Sequence, residues 1–241
     1  MSTYKFPDGF VWGTATAAHQ IEGSNTNSDW WEWEQNKPAE RRWPEEPSGI
    51  ACDSYNRYEE DFDLCTQLNN NAVRISVEWA RIEPEEGKFD QNEIEHYKKV
   101  LKAAKSRGLK TFVTLHHFTN PQWFAHKKSW ENLRSPIFFS RYAQRCAKEF
   151  GELVDKFITI NEPQVLMNQA YSEAVWPPQK SSIFSMFLVH TNMVDAHRKA
   201  YRKMRRETDT PIGIVKNVGW FETVEKSTFY DKVLAKISMF L

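Results

Sequence analysis

A glutamate directly follows a short apolar run near the middle of the chain. Residues 157–160 are β-branched or aromatic, which predicts a buried strand, and Asn161, Glu162 and Pro163 end it abruptly. Because proline disfavours the α region for the residue before it, the Glu162 carboxylate should project from the carboxyl end of this strand. A carboxylic acid held there could donate a proton to a leaving group. The alternative is a strand-ending turn that carries a solvated acid.

The other predicted strands are also followed by polar side chains that could take part in chemistry. These strands are predicted over residues 10–18, 72–77, 111–115 and 211–216. The side chains at or just beyond their ends are Gln20, Glu78, His117 and Asn217. The first run is small and apolar, which predicts a strand packed from both sides. Because the carboxyl ends of parallel strands meet at one edge, the sequence predicts a single site there.

Amphipathic helical patterns separate the predicted strands. The Asp53 side chain could cap a helix, and further helices are expected to start at Ser135-Pro136 and at Ser181 or Ser182. Strands that alternate with helices predict a parallel sheet with right-handed crossovers. An open doubly wound sheet is one form of it, but no Gly-x-Gly-x-x-Gly turn or phosphate loop follows any strand. An α/β barrel of the (β/α)8 type is therefore preferred, and no cofactor is predicted.

The length of the chain indicates only part of such a barrel. About five β/α units fill the 241 residues, so eight units of this size would need on the order of 390 residues. The last predicted helix stays apolar up to Leu241 and has no capping signal. We therefore expect residues 1–241 to form the amino-terminal part of a single (β/α)8 catalytic domain. Its first and fifth strands would be open edges that expose apolar surface.

Composition and charge argue against several other classes of protein. The 32 basic and 32 acidic residues balance, which gives no field favouring nucleic acid or an anionic membrane surface. No apolar run approaches the ~20 residues that span a bilayer, and the first residues contain no apolar signal-peptide core. Cys52, Cys65 and Cys146 lack a paired metal-ligand spacing, which predicts reduced thiols in a cytoplasmic protein.

Four ordered segments resemble the signature regions of family-one glycoside hydrolases, the β-glucosidase and β-galactosidase group. They are residues 10–23 (FVWGTATAAHQIEG), 74–84 (RISVEWARIEP), 114–118 (TLHHF) with Pro121, and 159–163 (TINEP). Residues 175–178 (VWPP) also fit, and the match is collinear over essentially the whole chain. The resemblance implies a (β/α)8 barrel and retaining hydrolysis of terminal β-D-glycosides.

The resemblance also implies roles for particular residues. It makes Glu162 the general acid/base and places Arg74 beside the nucleophile, where a guanidinium would keep a carboxylate ionised. It further implies that Gln20, His117 and Asn161 hold hydroxyl groups of the sugar. A β-linked oligosaccharide or glycoside is therefore the expected partner.

The residues themselves leave two orientations open. Side-chain alternation sends Asn161 and Glu162 to different sides unless the strand end twists. Alternation also points His116 and His117 in opposite directions, so they should not chelate one metal ion, and no metal site is predicted. One imidazole should face the site and the other the helical layer. The resemblance selects His117 for the site.

A long connection over residues 24–50 is rich in tryptophan, and tryptophan faces stack on sugar rings. This connection also contains Trp43, and the candidates for cleft walls are Trp30, Trp31, Trp33, Trp123 and Trp176. Each one singly fits ordinary packing better than ligand contact.

Two residues depart from the family pattern and bear on substrate choice. His19 stands where an aromatic residue is common, and Gln164 stands where a tryptophan often lines the leaving-group site.

The family's nucleophile is a glutamate in a Thr-Glu-Asn-Gly-like segment, and this sequence contains no such segment. We therefore expect the chain to be inactive alone and to need a carboxyl-terminal companion segment, on the same polypeptide or a separate one. The alternative function is a non-catalytic carbohydrate-binding or assembly module derived from the same fold.

Overall fold

The computed structural model describes residues 4–36, 46–224 and 227–238, so Trp43 and Leu241 lie outside the described residues. Its centre is one parallel sheet in which five strands neighbour one another in chain order. The strands are β1 (Gly13–Ala15), β2 (Ala72–Ser76), β3 (Lys110–His116), β4 (Lys156–Asn161) and β5 (Ile212–Val215). Parallel neighbours in sequential order form part of a (β/α)8 barrel, so the predicted fold class is confirmed.

Helices connect the strands and cover one face of the sheet. Those of the described residues are α1 (Ala18–Ile21), α2 (Asp29–Gln35), α3 (Ser54–Gln67), α4 (Trp79–Ile82), α5 (Gln91–Ser106), α6 (Gln122–Ala125), α7 (Ser135–Phe150), α8 (Pro163–Met167), α9 (Ile183–Met204) and α10 (Phe229–Ser238). Ser182 caps α9, because its side chain accepts a hydrogen bond from the Ser185 backbone, and Pro136 lies in the first turn of α7. None of the described helices is both long and apolar enough to span a membrane.

Three of the predicted local features are wrong. The first strand is short and mostly exposed rather than packed from both sides, because β1 pairs with β2 alone in the described part of the chain. The connection after it is not one long loop, since Trp30, Trp31 and Trp33 lie on α2. Asp53 precedes α3, but its left-handed backbone (φ 53°) leaves its side chain without a capping hydrogen bond.

The core lies between the sheet and the long helices α5, α7 and α9. Val113 and Phe157 on the strands, and Leu101, Phe150 and Val189 on the helices, are fully buried. Each such side chain contributes roughly 1.5–3 kcal/mol through its removal from water. This packing fixes the strands against one another, and it thereby fixes the positions of the side chains that follow their carboxyl ends.

Both outer strands border exposed apolar surface. Before β1, the rings of Phe6, Phe10 and Trp12 pack at 4.7–4.8 Å from one another, yet 41–49% of each residue stays exposed. Beyond β5, the exposed apolar residues include Val218, Trp220, Phe221, Val224, Phe229, Tyr230 and Leu234. Folded proteins usually cover such edges and patches, so this surface is suited to bind further polypeptide.

Candidate active site

Glu162 lies at the carboxyl end of β4, in a left-handed backbone conformation (φ 43°, ψ 61°). Its N–H donates to the carbonyl of Val215 on the neighbouring strand (2.8 Å), and its own carbonyl accepts from Val165 in the first turn of α8 (2.9 Å). A residue other than glycine holds this conformation only when its surroundings fix it, and such strain concentrates at functional sites. Pro163, at the start of α8, disfavours the α region for Glu162, as predicted from the sequence.

Asn161 and Glu162 lie on the same side of the strand end, although strict alternation would separate them. The pairing of β4 with β5 shifts between Ile158 and Asn161, and this irregularity combines with the left-handed turn at Glu162. The Asn161 Nδ2 atom consequently donates to Glu162 Oε2 over 3.3 Å. The twist that the sequence left open is therefore present.

Arg74 on β2 reaches across the edge of the sheet to the same pair. Its Nε donates to Thr114 Oγ1 (2.9 Å) and its Nη2 donates to Asn161 Oδ1 (2.5 Å). The Asn161 amide thus bridges a guanidinium and a carboxyl group. Burial lowers the pKa of Arg74, while the facing Glu162 favours the charged form. Because the intrinsic pKa of arginine is so high, Arg74 remains the cation of this cluster at pH 7.

His117 follows β3 and contributes a neutral imidazole. Burial, with a smaller effect from the nearby Arg74 charge, lowers the pKa of His117 to about 4. Its ring packs on Phe118 at 4.9 Å. Its Nδ1 atom is buried and has no hydrogen-bond partner among the described residues. A buried polar atom without a partner is costly, so this nitrogen is suited to bind a ligand.

His116 points into the helical layer instead. Its Nε2 lies 3.1 Å from Asn120 Oδ1, and its ring packs edge-on to Trp130 at 5.0 Å. Burial lowers the pKa of His116 to about 3. The two imidazoles therefore have different surroundings, as alternation along the strand predicts.

The depressed pKa of His116 predicts a loss of stability in acid. Its imidazole is neutral in the folded state, whereas the unfolded chain binds a proton below about pH 6.5. Stability linked to His116 is therefore complete above that pH and is lost as the pH falls towards 3. Between pH 7 and pH 4, the wild type should lose roughly 3 kcal/mol more of its free energy of unfolding than His116→Phe. Urea unfolding at both pH values measures this.

Exposed His190 supplies the control for that experiment. His190→Gln should keep the pH dependence of the wild type, because this exposed side chain lacks the buried surroundings of His116. Equal acid destabilisation of the wild type and His116→Phe would contradict the assignment.

Gln20 lies on α1, directly after β1, and its side chain is exposed. Among the described residues, this side chain makes no hydrogen bond with Arg74, His117, Asn161 or Glu162. Hydrogen bonds join Arg74, Asn161 and Glu162, and His117 lies near enough to feel the Arg74 charge, whereas Gln20 stays separate at the same edge of the sheet. An exposed amide there is free to bind a ligand hydroxyl.

Aromatic rings connect the segments that follow β1, β3 and β4. Trp30 packs edge-on to Trp176 at 5.2 Å, and Trp176 packs on Phe118 at 4.8 Å. Phe118 in turn packs on His117, so the rings reach the polar cluster. We call Trp30, Trp176 and Phe118 the aromatic wall. Such rings offer apolar faces beside polar groups, which is the surface that sugar binding requires.

Other candidate residues make contacts that support the fold and are not joined to the polar cluster. Trp123 donates from Nε1 to the Glu83 carbonyl (2.8 Å), and Trp33 is buried behind Trp30. Glu78, which follows β2, is buried and accepts a hydrogen bond from Thr119 Oγ1 (2.9 Å). Its carboxylate also caps α4, so Glu78 contributes to the fold rather than to the polar cluster.

Sequence reasoning missed Thr114 and Phe118 as members of the site. Thr114 accepts the hydrogen bond from Arg74, and Phe118 holds a left-handed backbone (φ 74°) within the aromatic wall. Both belong to the third segment with family resemblance, which was the available signal. Neither residue type indicates chemistry by itself.

The fold and the site define part of a (β/α)8 barrel with a carboxylic acid, an amide and a guanidinium joined at the carboxyl edge of its strands. The sequence profile described as "Glycosyl hydrolase family 1" matches residues 2–240. The chain belongs to this family.

Curated and solved relatives agree with this assignment. The chain is 34% identical to β-glucosidase A of Thermotoga maritima over 92% of its own length and 51% of the relative. A β-glycosidase structure from Pyrococcus horikoshii superposes with a TM-score of 0.86 at 35% identity, covering 98% of this chain and 55% of that one. A Thermotoga maritima family 1 β-glucosidase in complex with isofagomine lactam gives a TM-score of 0.91 at 32% identity, covering 97% and 54%. The chain spans about half the length of the curated relatives it matches.

Proposed function

We propose that residues 1–241 form the amino-terminal part of a single (β/α)8 catalytic domain that hydrolyses terminal β-D-glycosides with retention, in the manner of a β-glucosidase. The observation that carries this proposal is the Asn161 bridge between Arg74 and Glu162 at the carboxyl edge of the sheet. The bridge lies at the end of β4, beside a neutral His117 and the aromatic wall, and this position fits a sugar bound over the strand ends. The relatives with a β-glucosidase name support the substrate class.

In this mechanism Glu162 protonates the glycosidic oxygen as the bond to the sugar breaks. A second carboxylate, ~5 Å away in retaining enzymes, captures the oxocarbenium-like carbon and forms a covalent intermediate. Glu162 then removes a proton from the water that releases the sugar. Arg74, which stays charged, would keep the second carboxylate ionised.

The remaining polar residues would bind the sugar. Asn161 already donates to Glu162 and could redirect its amide to a hydroxyl adjacent to the reacting carbon. The free Nδ1 of His117 and the exposed amide of Gln20 would contact other hydroxyl groups. These contacts orient the substrate, and orientation alone can lower a reaction barrier by several kcal/mol.

The second carboxylate would come from a carboxyl-terminal companion segment that completes the barrel. The sequence contains no Thr-Glu-Asn-Gly-like segment. The exposed apolar residues near β1 and beyond β5 give such a segment a surface to cover. The cytoplasmic location suggested by the cysteines stays a prediction.

The anomeric form of the first product tests the proposed reaction. A polypeptide that continues beyond Leu241 through the remaining strands should release β-glucose first from 4-nitrophenyl β-glucoside, as proton NMR during early turnover would record. The matching α-glucoside serves as the control and should not be hydrolysed. Initial release of α-glucose would contradict the retaining mechanism. Cellobiose binding without any turnover would favour the alternative, a non-catalytic carbohydrate-binding module.

A further inference from the structure

A buried hydrogen-bonded pair, His19 and Glu34, lies beside the aromatic wall and outside the polar cluster described above. His19 on α1 contacts Glu34 on α2, with its Nε2 at 2.9 Å from Glu34 Oε1. Only 8% of His19 and 6% of Glu34 are exposed. Burying an imidazole and a carboxylate is costly, and an apolar pair of similar size would often be at least as stable. The pair therefore needs an explanation other than stability.

Hydrogen bonds fix both partners of the pair. Asn25 Nδ2 lies 3.4 Å from His19 Nδ1, so Nδ1 accepts and Nε2–H donates to Glu34. The other carboxylate oxygen, Glu34 Oε2, accepts from the backbone N–H (2.9 Å) and the hydroxyl (2.7 Å) of Ser48. Burial raises the pKa of Glu34, but these hydrogen bonds outweigh burial and hold that pKa below its ordinary value. Glu34 is thus an anion that ties together α1, α2 and the chain at residue 48.

The imidazole of this pair also supports the first ring of the aromatic wall. The His19 ring packs edge-on to Trp30 at 5.6 Å, and Trp30 packs edge-on to Trp176. Gln20 is the residue directly after His19 on α1. Moving the imidazole would therefore displace a tryptophan of the aromatic wall.

We propose that His19 and Glu34 are positioning residues that set the place of Trp30, and through it the sugar-facing side of the aromatic wall. The choice of a sugar as the ligand rests on the proposed function, whereas the geometry of the His19–Glu34 pair does not. In this chain a directional hydrogen bond from His19 Nε2 to Glu34 orients the ring.

Substitutions at His19 separate orientation from packing. His19→Phe keeps a ring but removes the donor to Glu34, whereas the amide nitrogen of His19→Gln can still donate to it. We expect His19→Phe to bind deoxynojirimycin about tenfold more weakly than the wild type, because misplacing one aromatic contact is worth about 1.4 kcal/mol. His19→Gln should stay within about twofold of the wild type. Titration calorimetry measures the affinities on the full chain, with each variant's folding verified by circular dichroism.

Glu149→Gln is the matched control. It weakens a partly buried ion pair elsewhere, that of Glu149 with Lys98 (2.8 Å), which joins α5 to α7 in the helical layer. It should lower stability without changing deoxynojirimycin affinity. If His19→Phe does not fold, Glu34→Leu removes the acceptor of the same pair from the other side. Equal affinity for His19→Phe and the wild type, or equal weakening by Glu149→Gln, would overturn the proposal.

A second measurement keeps this inference distinct from the proposed function. The indole N–H resonance of Trp30, assigned by its loss in Trp30→Phe, reports the position of the ring without any ligand. It should shift in Glu34→Leu, which removes the acceptor but keeps the His19 ring beside Trp30, and it should remain in place in Glu149→Gln. If the wild type does not bind deoxynojirimycin, the sugar-binding proposal fails, and this resonance alone decides the positioning role. An unchanged Trp30 resonance in Glu34→Leu would reject that role.

Discussion

Replacing Glu162 by glutamine should lower kcat for an alkyl β-glucoside by ~10²–10⁴-fold in a polypeptide that contains the complete barrel, which is the contribution of one general acid. The amide has nearly the shape of the carboxyl group, but it has no acidic proton for the glycosidic oxygen. Because binding of the sugar does not require this proton, KM should change much less than kcat. Steady-state kinetics on the purified variant measures both parameters.

The leaving group provides an internal check on that result. A 2,4-dinitrophenyl β-glucoside needs little protonation to depart, so the first step of its hydrolysis should lose far less in Glu162→Gln than that of an alkyl glucoside. Glu173→Gln is the matched control, since Glu173 is an exposed acid on the same connection after β4. It should leave kcat unchanged. A loss that is equal for both leaving groups would contradict the role of Glu162 as proton donor.

The 241-residue chain alone should hydrolyse 4-nitrophenyl β-glucoside on the order of 10⁴-fold or more slowly than a polypeptide that continues through the remaining strands. Removing the nucleophile of a covalent mechanism has effects of this size. The chain retains Glu162 and Arg74, yet it lacks the segment expected to carry the second carboxylate. Turnover per folded molecule, with folding measured by circular dichroism, makes the comparison.

Two controls make the comparison decisive. Adding the remaining strands as a separate polypeptide should restore part of the activity, because the apolar surface near β1 and beyond β5 would then be covered. Any residual turnover of the short chain should be compared with that of its Glu162→Gln variant, since a contaminating hydrolase would not respond to this change. Strong turnover by the purified short chain that disappears in Glu162→Gln would refute the need for a companion segment.

The sheet and its order could be predicted from the sequence because each strand is an apolar run between helical patterns. The run before Glu162 is the clearest case, although β4 ends at Asn161, one residue beyond the predicted run. β1 was predicted too long because small apolar residues also suit an exposed connection. The sequence around Trp30 did not predict α2, because the three tryptophans and two glutamates of this helix have no simple helical periodicity.

The arrangement of the site was less predictable than its composition. Arg74, His117 and Glu162 were identified through the family resemblance, but their contacts depend on the shifted pairing of β4 with β5. A one-residue irregularity of this kind decides which way Asn161 points and leaves no local signal in sequence. The His19–Glu34 pair is similar, because it joins residues fifteen positions apart through a connection that periodicity could not place.

Rescue of Glu162→Ala by azide tests the central claim most directly, that Glu162 is the proton donor and acceptor of a retaining site. Azide needs no general base and can enter the space that the shorter side chain leaves. With 2,4-dinitrophenyl β-glucoside and a polypeptide containing the complete barrel, azide should accelerate turnover and yield β-glucosyl azide. Turnover that does not respond to azide, or formation of the α-azide, would contradict the account.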